Sequence, residues 1–214
     1  MAALAGIVGK EIEPQEIEKM LDSMRHRGPG GRTVHRFGSG VVGCNELPTS
    51  AESTPAFACD GSTCVLLDGD LYGSGQWEGA DVERLLRAYL ADGDACFAQL
   101  DGSYACVVVN EDRVLLARDA VGARSLIYGD GDHGLAFASE AKALVDHLSC
   151  VKELPPGHIY SEEEGLRRFD AWQPDVPDYE DPVQGARVVH DLLIGAVERQ
   201  MNDGAVGAVA LSGG

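Results

Sequence analysis

The sequence predicts an α+β domain of layered sheets and helices, and three observations carry that prediction. Many short apolar runs alternate with Gly, Asn and Asp turn clusters. Only two early segments repeat their apolar residues at helical spacing. Of the 214 residues, 44% are hydrophobic and 6% aromatic, enough for one sizeable core with a second unit just beginning.

Leu4 to Val8 is a short apolar run, a buried strand by its length. Pro14 then opens a helix with Ile17, Met20, Leu21 and Met24 on one face, ended by Gly28-Pro29. Strand-like runs follow, among them Cys64 to Leu67. A second helix carries Val82, Leu85, Leu86, Tyr89 and Leu90 inward and stops at Asp92-Gly93. Ser103 to Val109, Arg113 to Ala117 and Leu135 to Ala138 read as strands, separated by Asn110-Glu111-Asp112 and Gly129-Asp130-Gly131-Asp132 turns. Ser139-Glu140 is placed to cap a short helix holding Lys142 to Val145. From Asp170 the composition turns proline-rich, acidic and aperiodic, as in Trp172-Gln173-Pro174-Asp175-Val176-Pro177, the mark of a linker. Beyond it Asp181-Pro182 starts a long helix with Val189, Leu192, Leu193, Ala196 and Val197 inward. Val206 to Leu211 then forms a strand running into Ser212-Gly213-Gly214, where glycines let backbone N–H groups approach an anion. These boundaries divide the chain into a domain over 1–170, a linker over 171–181 and the start of another domain over 182–214.

Acidic residues outnumber basic ones by 35 to 17, a net charge of −18. So anionic a surface repels phosphate backbones and argues against a nucleic-acid partner. It serves solubility, and a salty cytosol would relieve its self-repulsion by screening. No apolar run approaches the roughly 20 residues that cross a bilayer, and the start lacks the basic region of a signal peptide. The expectation is a cytoplasmic protein with no membrane partner. The six cysteines, Cys44, Cys59, Cys64, Cys96, Cys106 and Cys150, form no CxxC pair and have no histidine at metal spacing. Reduced thiols, mostly buried, are expected, with neither a metal site nor a disulfide. His26, His35, His133, His147, His158 and His190 are scattered and read as surface or loop residues. Arg118-Asp119-x-x-Gly122 reads as a salt-bridged turn.

Several stretches, in order, resemble the asparagine synthetase family of glutamine amidotransferases. The opening is similar to that family's Met-Cys-Gly-Ile start, and Leu21 to Pro29, with Met24-Arg25-His26-Arg27-Gly28-Pro29, to the loop after its first helix. Asp68-Gly69-Asp70-Leu71-Tyr72 stands where the family has Asn-Gly-Glu-Ile-Tyr, and Gly79-Ala80-Asp81-Val82-Glu83 resembles its Gly-Ser-Asp segment. Leu100 to Ala105, Ala117 to Gly122, Ala138 to Leu144, Leu154-Pro155-Pro156-Gly157 and Trp172-Gln173-Pro174 follow. Leu211-Ser212-Gly213-Gly214 is similar to the start of a pyrophosphate loop. The resemblance implies a four-layer αββα N-terminal-nucleophile hydrolase fold, followed by the first helix and strand of an α/β ATP-pyrophosphatase domain. It also implies that glutamine hydrolysed in the first domain supplies ammonia to an aspartyl-adenylate in the second. This chain would carry no cofactor itself. ATP and Mg would belong to the full-length protein, whose C-terminal synthetase domain would be the partner. A homodimer is a second partner the resemblance leaves open.

Amide hydrolysis in such a domain needs a nucleophile, a base near neutral pKa, and donors for the oxyanion. The family exposes an N-terminal cysteine whose thiol attacks and whose α-amine moves the proton. Here that position is Ala2, so no catalytic residue is assigned. The family's oxyanion-hole asparagine aligns with Asp68, whose carboxylate would repel the charge that an amide N–H stabilises. Gly43-Cys44-Asn45-Glu46-Leu47-Pro48 lacks the arginine that holds the glutamine carboxylate. Asp68, Gly69 and Asp81 are thus relics of a glutamine pocket, Asp81 doubling as a helix N-cap. The leading expectation is a pseudo-glutaminase that scaffolds amide formation from ammonia or another amine, as in β-lactam-forming relatives that keep the domain without the nucleophile. Two alternatives stand beside it: a working glutamine-hydrolysing asparagine synthetase with an introduced substitution at the nucleophile, and a non-enzymatic amino-acid-binding regulatory domain.

Overall fold

The computed structural model describes residues 2–9, 12–38, 40–47, 55–72, 79–110, 113–169 and 181–201. Its elements run β1 (Ala2–Val8), α1 (Pro14–Ser23), β2 (Gly31–Phe37), β3 (Gly40–Glu46), β4 (Phe57–Asp60), β5 (Thr63–Leu71), α2 (Asp81–Asp92), β6 (Gly102–Val109) and β7 (Val114–Arg118). Then come β8 (Ile127–Gly131), β9 (Gly134–Ala138), β10 (Lys152–Glu153), β11 (His158–Ser161), β12 (Gly165–Arg168) and α3 (Pro182–Gln200). The strands form two six-stranded sheets, ordered β10-β8-β9-β1-β3-β2 and β12-β11-β7-β6-β5-β4, and every pairing is antiparallel.

Period-two alternation explains why these strands read as unbroken apolar runs: both of their faces are buried. In β1, Ala2 and Leu4 face the space between the sheets, while Ala3, Ala5 and Ile7 face α1. In β5, Cys64 and Leu66 point between the sheets, and Val65, Leu67 and Leu71 point to the layer of α2. Three apolar layers result: α1 against the first sheet, sheet against sheet, and α2 against the second sheet. This is the expected αββα stack.

Pro14 occupies the first position of α1, where its missing N–H costs nothing, and Ile17, Met20 and Leu21 are buried as expected, with Met24 just beyond. The inward face of α2 needs one correction. Val82, Leu85 and Leu86 are buried, but Leu90 is exposed and Ala88 takes the fourth buried place. Gly93 ends that helix at φ 57°, the left-handed region where glycine carries no Cβ penalty.

Four further expectations are corrected. Ser139 and Glu140 do not cap the turn Ala141–Leu144 with a side chain. Ser139 Oγ instead accepts from Leu4 N at 2.9 Å, tying the turn to β1. Arg118 and Asp119 do not bridge each other. Arg118 donates to the carbonyls of Arg124, Leu154 and Gly122 and pairs with Glu153. The carboxylate of Asp119 accepts backbone N–H groups. α3 forms over the expected span, with Asp181 Oδ1 accepting from Val183 N at 2.9 Å, yet none of its residues is buried, so its apolar face is not inward. Finally, Cys59 and Cys64 are disulfide-bonded, whereas reduced thiols were expected. They are directly opposed partners across the β4–β5 hairpin, which brings a Cys pair together without any CxxC spacing. The Trp172-to-Pro177 linker and the strand Val206 to Leu211 lie outside the described residues.

Candidate functional site

Where the two sheets meet at the start of β1, four polar groups converge. Ala2, the first residue of β1, is 3% exposed, and its methyl belongs to the apolar layer between the sheets. Its backbone N donates to Asp68 Oδ1, on β5 of the other sheet, at 2.7 Å. Asp68 is fully buried, a position that costs several kcal/mol unless the charge is matched. The match comes from Arg27, in the 3₁₀ turn after α1: Nη2 reaches Asp68 Oδ2 at 2.5 Å, and Nε donates to the Ala2 carbonyl at 3.1 Å. Glu140 lies on the outer side of Arg27 at 3.5 Å, and it also contacts His26 and Lys142. Burial alone would raise the Glu140 carboxyl, but hydrogen bonds from Lys142 and His26 outweigh it and hold the group below the usual carboxylate range.

This arrangement alters the electrostatic argument made from the sequence. Asp68 does not confront the site as a bare anion. Its two oxygens are taken by Ala2 N–H and by Arg27, so the carboxylate is neutralised from within the protein. Arg27 was present in the quoted stretch, but its role was not legible. Linear sequence separates Arg27 from Asp68 by 41 residues, and only the packing of α1 on β1 and β3 closes that distance.

Of the four free thiols among the described residues, Cys150 is exposed and Cys44, Cys96 and Cys106 are buried. Cys44, on β3 beside β1, is pushed up to about 12, first by burial and then by the charge of Glu46. Burial, followed by nearby Asp94, raises Cys96 to about 12, and burial raises Cys106 well above the ordinary thiol range. Such thiols stay protonated and poorly nucleophilic at neutral pH.

Gly69 sits next to Asp68 for a reason that needs no ligand. Its φ is +142°, and an added Cβ would lie 2.0 Å from the Ser103 carbonyl on β6. Glycine is required for β5 to approach β6. Asp81 is the first helical residue of α2 rather than its N-cap, which is Ala80. Its Oδ2 accepts from Leu71 N at 3.0 Å and its Oδ1 from Arg84 at 2.9 Å, fastening the helix to the end of β5. The structure therefore joins Ala2, Arg27 and Asp68, while Asp81 is anchored three residues farther along β5, about 10 Å of strand. Leu211, Ser212, Gly213 and Gly214 lie outside the described residues.

The region expected to lack an arginine does have one nearby from the neighbouring strand. Arg32 on β2 is paired in register with Asn45, and its Nε donates to Asn45 Oδ1 at 3.0 Å while Nη2 pairs with Asp22 at 2.6 Å. It lines an open cleft of about 270 Å³ with Asp22, Arg25 and Asn45, to which neither Ala2 nor Asp68 contributes.

Two antiparallel sheets flanked by helices, with the start of β1 buried at their junction, make a fold of the N-terminal-nucleophile architecture. The fold is similar to glutamine phosphoribosylpyrophosphate amidotransferase from B. subtilis, at a TM-score of 0.64 and 21% identity, over 79% of this chain and 50% of that one. A second solved structure, an allosteric regulatory enzyme of purine biosynthesis, gives a TM-score of 0.65 at 21% identity. Residues 1–162 match the glutamine amidotransferase domain model. Asparagine synthetase [glutamine-hydrolyzing] 2 of Arabidopsis thaliana is 32% identical over 187 residues, covering 79% of this chain and 32% of that protein. Asparagine synthetase [glutamine-hydrolyzing] 1 of Lotus japonicus is 28% identical over 228 residues, covering 96% of this chain and 37% of that protein. The chain belongs to the glutamine amidotransferase domains of the asparagine synthetase family. It spans about a third of the length of these curated relatives.

Proposed function

We propose that this domain does not hydrolyse glutamine and acts as a scaffold for ATP-dependent amide formation from free ammonia or another amine. That chemistry is assigned to a C-terminal synthetase domain, which would take ATP and Mg. One observation carries the reading. At the nucleophile position stands Ala2, with no group able to form an acyl intermediate, and its backbone N is already donated to Asp68 at 2.7 Å. If the initiator methionine is removed, the new α-ammonium joins Arg27 in neutralising Asp68. It then serves as a structural cation and not as a proton carrier. The amino-acid-binding alternative is disfavoured because both oxygens of Asp68 are satisfied from within the protein.

Ammonia release from glutamine tests the reading. The protein should release none above the buffer blank, and a glutamine-like electrophile should leave its N-terminus unlabelled. Ala2→Cys alone should remain inactive, because one missing oxyanion donor costs about 10²–10³ in rate and Asp68 places an anion there instead. Ala2→Cys combined with Asp68→Asn should gain measurable turnover. Robust release by the single variant would overturn the view that the pocket, and not only the nucleophile, has been lost.

A further inference from the structure

A second cluster lies away from Ala2, at one open edge of the sheet pair. β2 is the edge strand of the first sheet and β4 that of the second. His35 on β2 reaches across so that its Nε2 is 3.5 Å from Cys64 Sγ on β5. Cys59, on β4, is the cross-strand partner of Cys64. The Sγ atoms of both cysteines and a ring nitrogen of His35 all lie within 4.8 Å of one another. The His35 ring also packs against Phe57 of β4, with centroids 5.3 Å apart, which holds the imidazole over the hairpin.

We propose that, once the disulfide is reduced, Cys59, Cys64 and His35 form a binding site for a thiophilic divalent cation such as Zn²⁺. Two thiolates and one imidazole are a donor set that zinc prefers, with Zn–S about 2.3 Å and Zn–N about 2.0–2.1 Å. Donors around such a tetrahedral ion lie about 3.3–3.8 Å from one another by that geometry, and the Cys64–His35 separation already falls in this range. The hairpin keeps both sulfurs on neighbouring strand positions after reduction. Cys59 is exposed, so the cation can enter from solvent and keep water as its fourth ligand.

The chemistry balances in two steps. A dithiol reductant attacks the Cys59–Cys64 bond, supplies two electrons and two protons, and leaves as its own cyclic disulfide. The cation then displaces the two thiol protons and accepts the lone pair of the His35 ring nitrogen, releasing two protons to solvent. In the oxidised protein the sulfurs are spent on each other and the donor set is gone. The site is therefore redox-gated, and the bound cation ties the edge of one sheet to the edge of the other.

The test uses protein reduced with a phosphine, freed of reductant under nitrogen, and titrated with Co²⁺ and then Zn²⁺ against a chromogenic chelator. One equivalent should bind, with the visible ligand-field bands of tetrahedral thiolate-bound cobalt, and zinc should raise the melting temperature. The same protein left oxidised should do neither. Cys59→Ser and His35→Ala should each weaken zinc by more than the roughly 10–100-fold that loss of an outer-shell partner costs. Cys150→Ser, which removes an exposed free cysteine elsewhere, should change nothing. Cys59→Ser is the decisive variant because its side chain is exposed, and circular dichroism verifies that it is folded. Equal zinc affinity for reduced wild type and Cys59→Ser, or loss of binding in Cys150→Ser, would overturn the proposal.

Discussion

Asp68 and Asp119 are both buried carboxylates of the second sheet, exposed by 0% and 1%, and they solve the cost of burial in opposite ways. Asp119 follows β7 and takes no cation. Its Oδ1 accepts from Val121, Gly122 and Ala123 N at 2.7–3.1 Å, and its Oδ2 from Tyr104 and Arg124 N at 3.2 and 3.4 Å. Asp68 accepts one backbone N–H and one guanidinium. The first is a brace built into a turn, where four of the five donors belong to the carboxylate's own loop and the fifth, Tyr104 N, to β6. The second is a partnership between remote segments, at the position where the proposed reading places a lost oxyanion donor. An aspartate in a pocket is thus informative only once its partners are known.

The two arrangements should fail differently, and the largest effect is expected at the brace. Asp119→Ala strips an acceptor from five backbone donors at once. A buried donor left without a partner costs about 1–3 kcal/mol, so a total near 5 kcal/mol is expected after partial relaxation. Asp119→Asn keeps one oxygen and should cost distinctly less. Denaturant midpoints measure both, and a mild Asp119→Ala would show that solvent reaches the turn.

At Asp68 the prediction is a rescue. Arg27→Ala leaves a buried charge uncompensated, which costs about 3–5 kcal/mol. Adding Asp68→Asn removes that charge, retains an acceptor for Ala2 N–H, and should recover most of the loss. A double variant as unstable as Arg27→Ala alone would mean that Arg27 acts by packing or through the Ala2 carbonyl. No comparable second-site rescue is expected for Asp119→Ala.

The same contrast shows what was legible in the sequence. The helical face of α1 and the apolar runs of β1, β5 and β6 could be read because period fixes their burial on both faces. Ala2 and Asp68 could be picked out because each departs from a recognisable motif. That Arg27 closes on Asp68 could not be read, since the contact depends on how a turn packs over two sheets. The Cys59–Cys64 pair carries no CxxC signature, its cysteines standing five residues apart. The available signal was Gly61-Ser62 between two strand-like runs, a two-residue turn that sets Asp60 opposite Thr63 and so Cys59 opposite Cys64. Asp81 reads as the cap but is the first helical residue, so one carboxylate oxygen takes Leu71 N–H of β5 while the other pairs with Arg84 of the helix.

A smaller, distributed effect should come from salt. A net charge of −18 carries self-repulsion that screening over about 8–10 Å relieves at moderate ionic strength. Relief of about 1 kcal/mol corresponds to a rise of about 2–4 °C in Tm for a chain of this size. Thermal melts from low to molar potassium chloride measure it, and a flat response would remove the case for adaptation to a salty cytosol. The Arg27–Asp68 pair should contribute little to that response, because a buried pair is screened little.

The smallest effect is expected from α3, where the contrast between braced and unbraced groups extends to a whole element. Its 19 residues include exposed Val189, Leu192, Leu193 and Val197, none of its residues is buried, and an Arg199–Asp101 pair at 3.8 Å between exposed side chains links it to the domain. Exposed pairs contribute about 0–1 kcal/mol, and helices shorter than about 12–15 residues are marginal alone, with longer ones still fraying. The sequence pattern shows a face suited to burial, but a pattern does not say against what. Ending the chain after Phe169 should therefore change the unfolding free energy by no more than about 0.5 kcal/mol, the size of an ordinary surface change. Hydrogen exchange in the intact chain should be fast across 182–201 and slow across β1, β5 and β6. Strong protection of α3, or a clear loss of stability on its removal, would show that the apolar face is docked on the domain in solution.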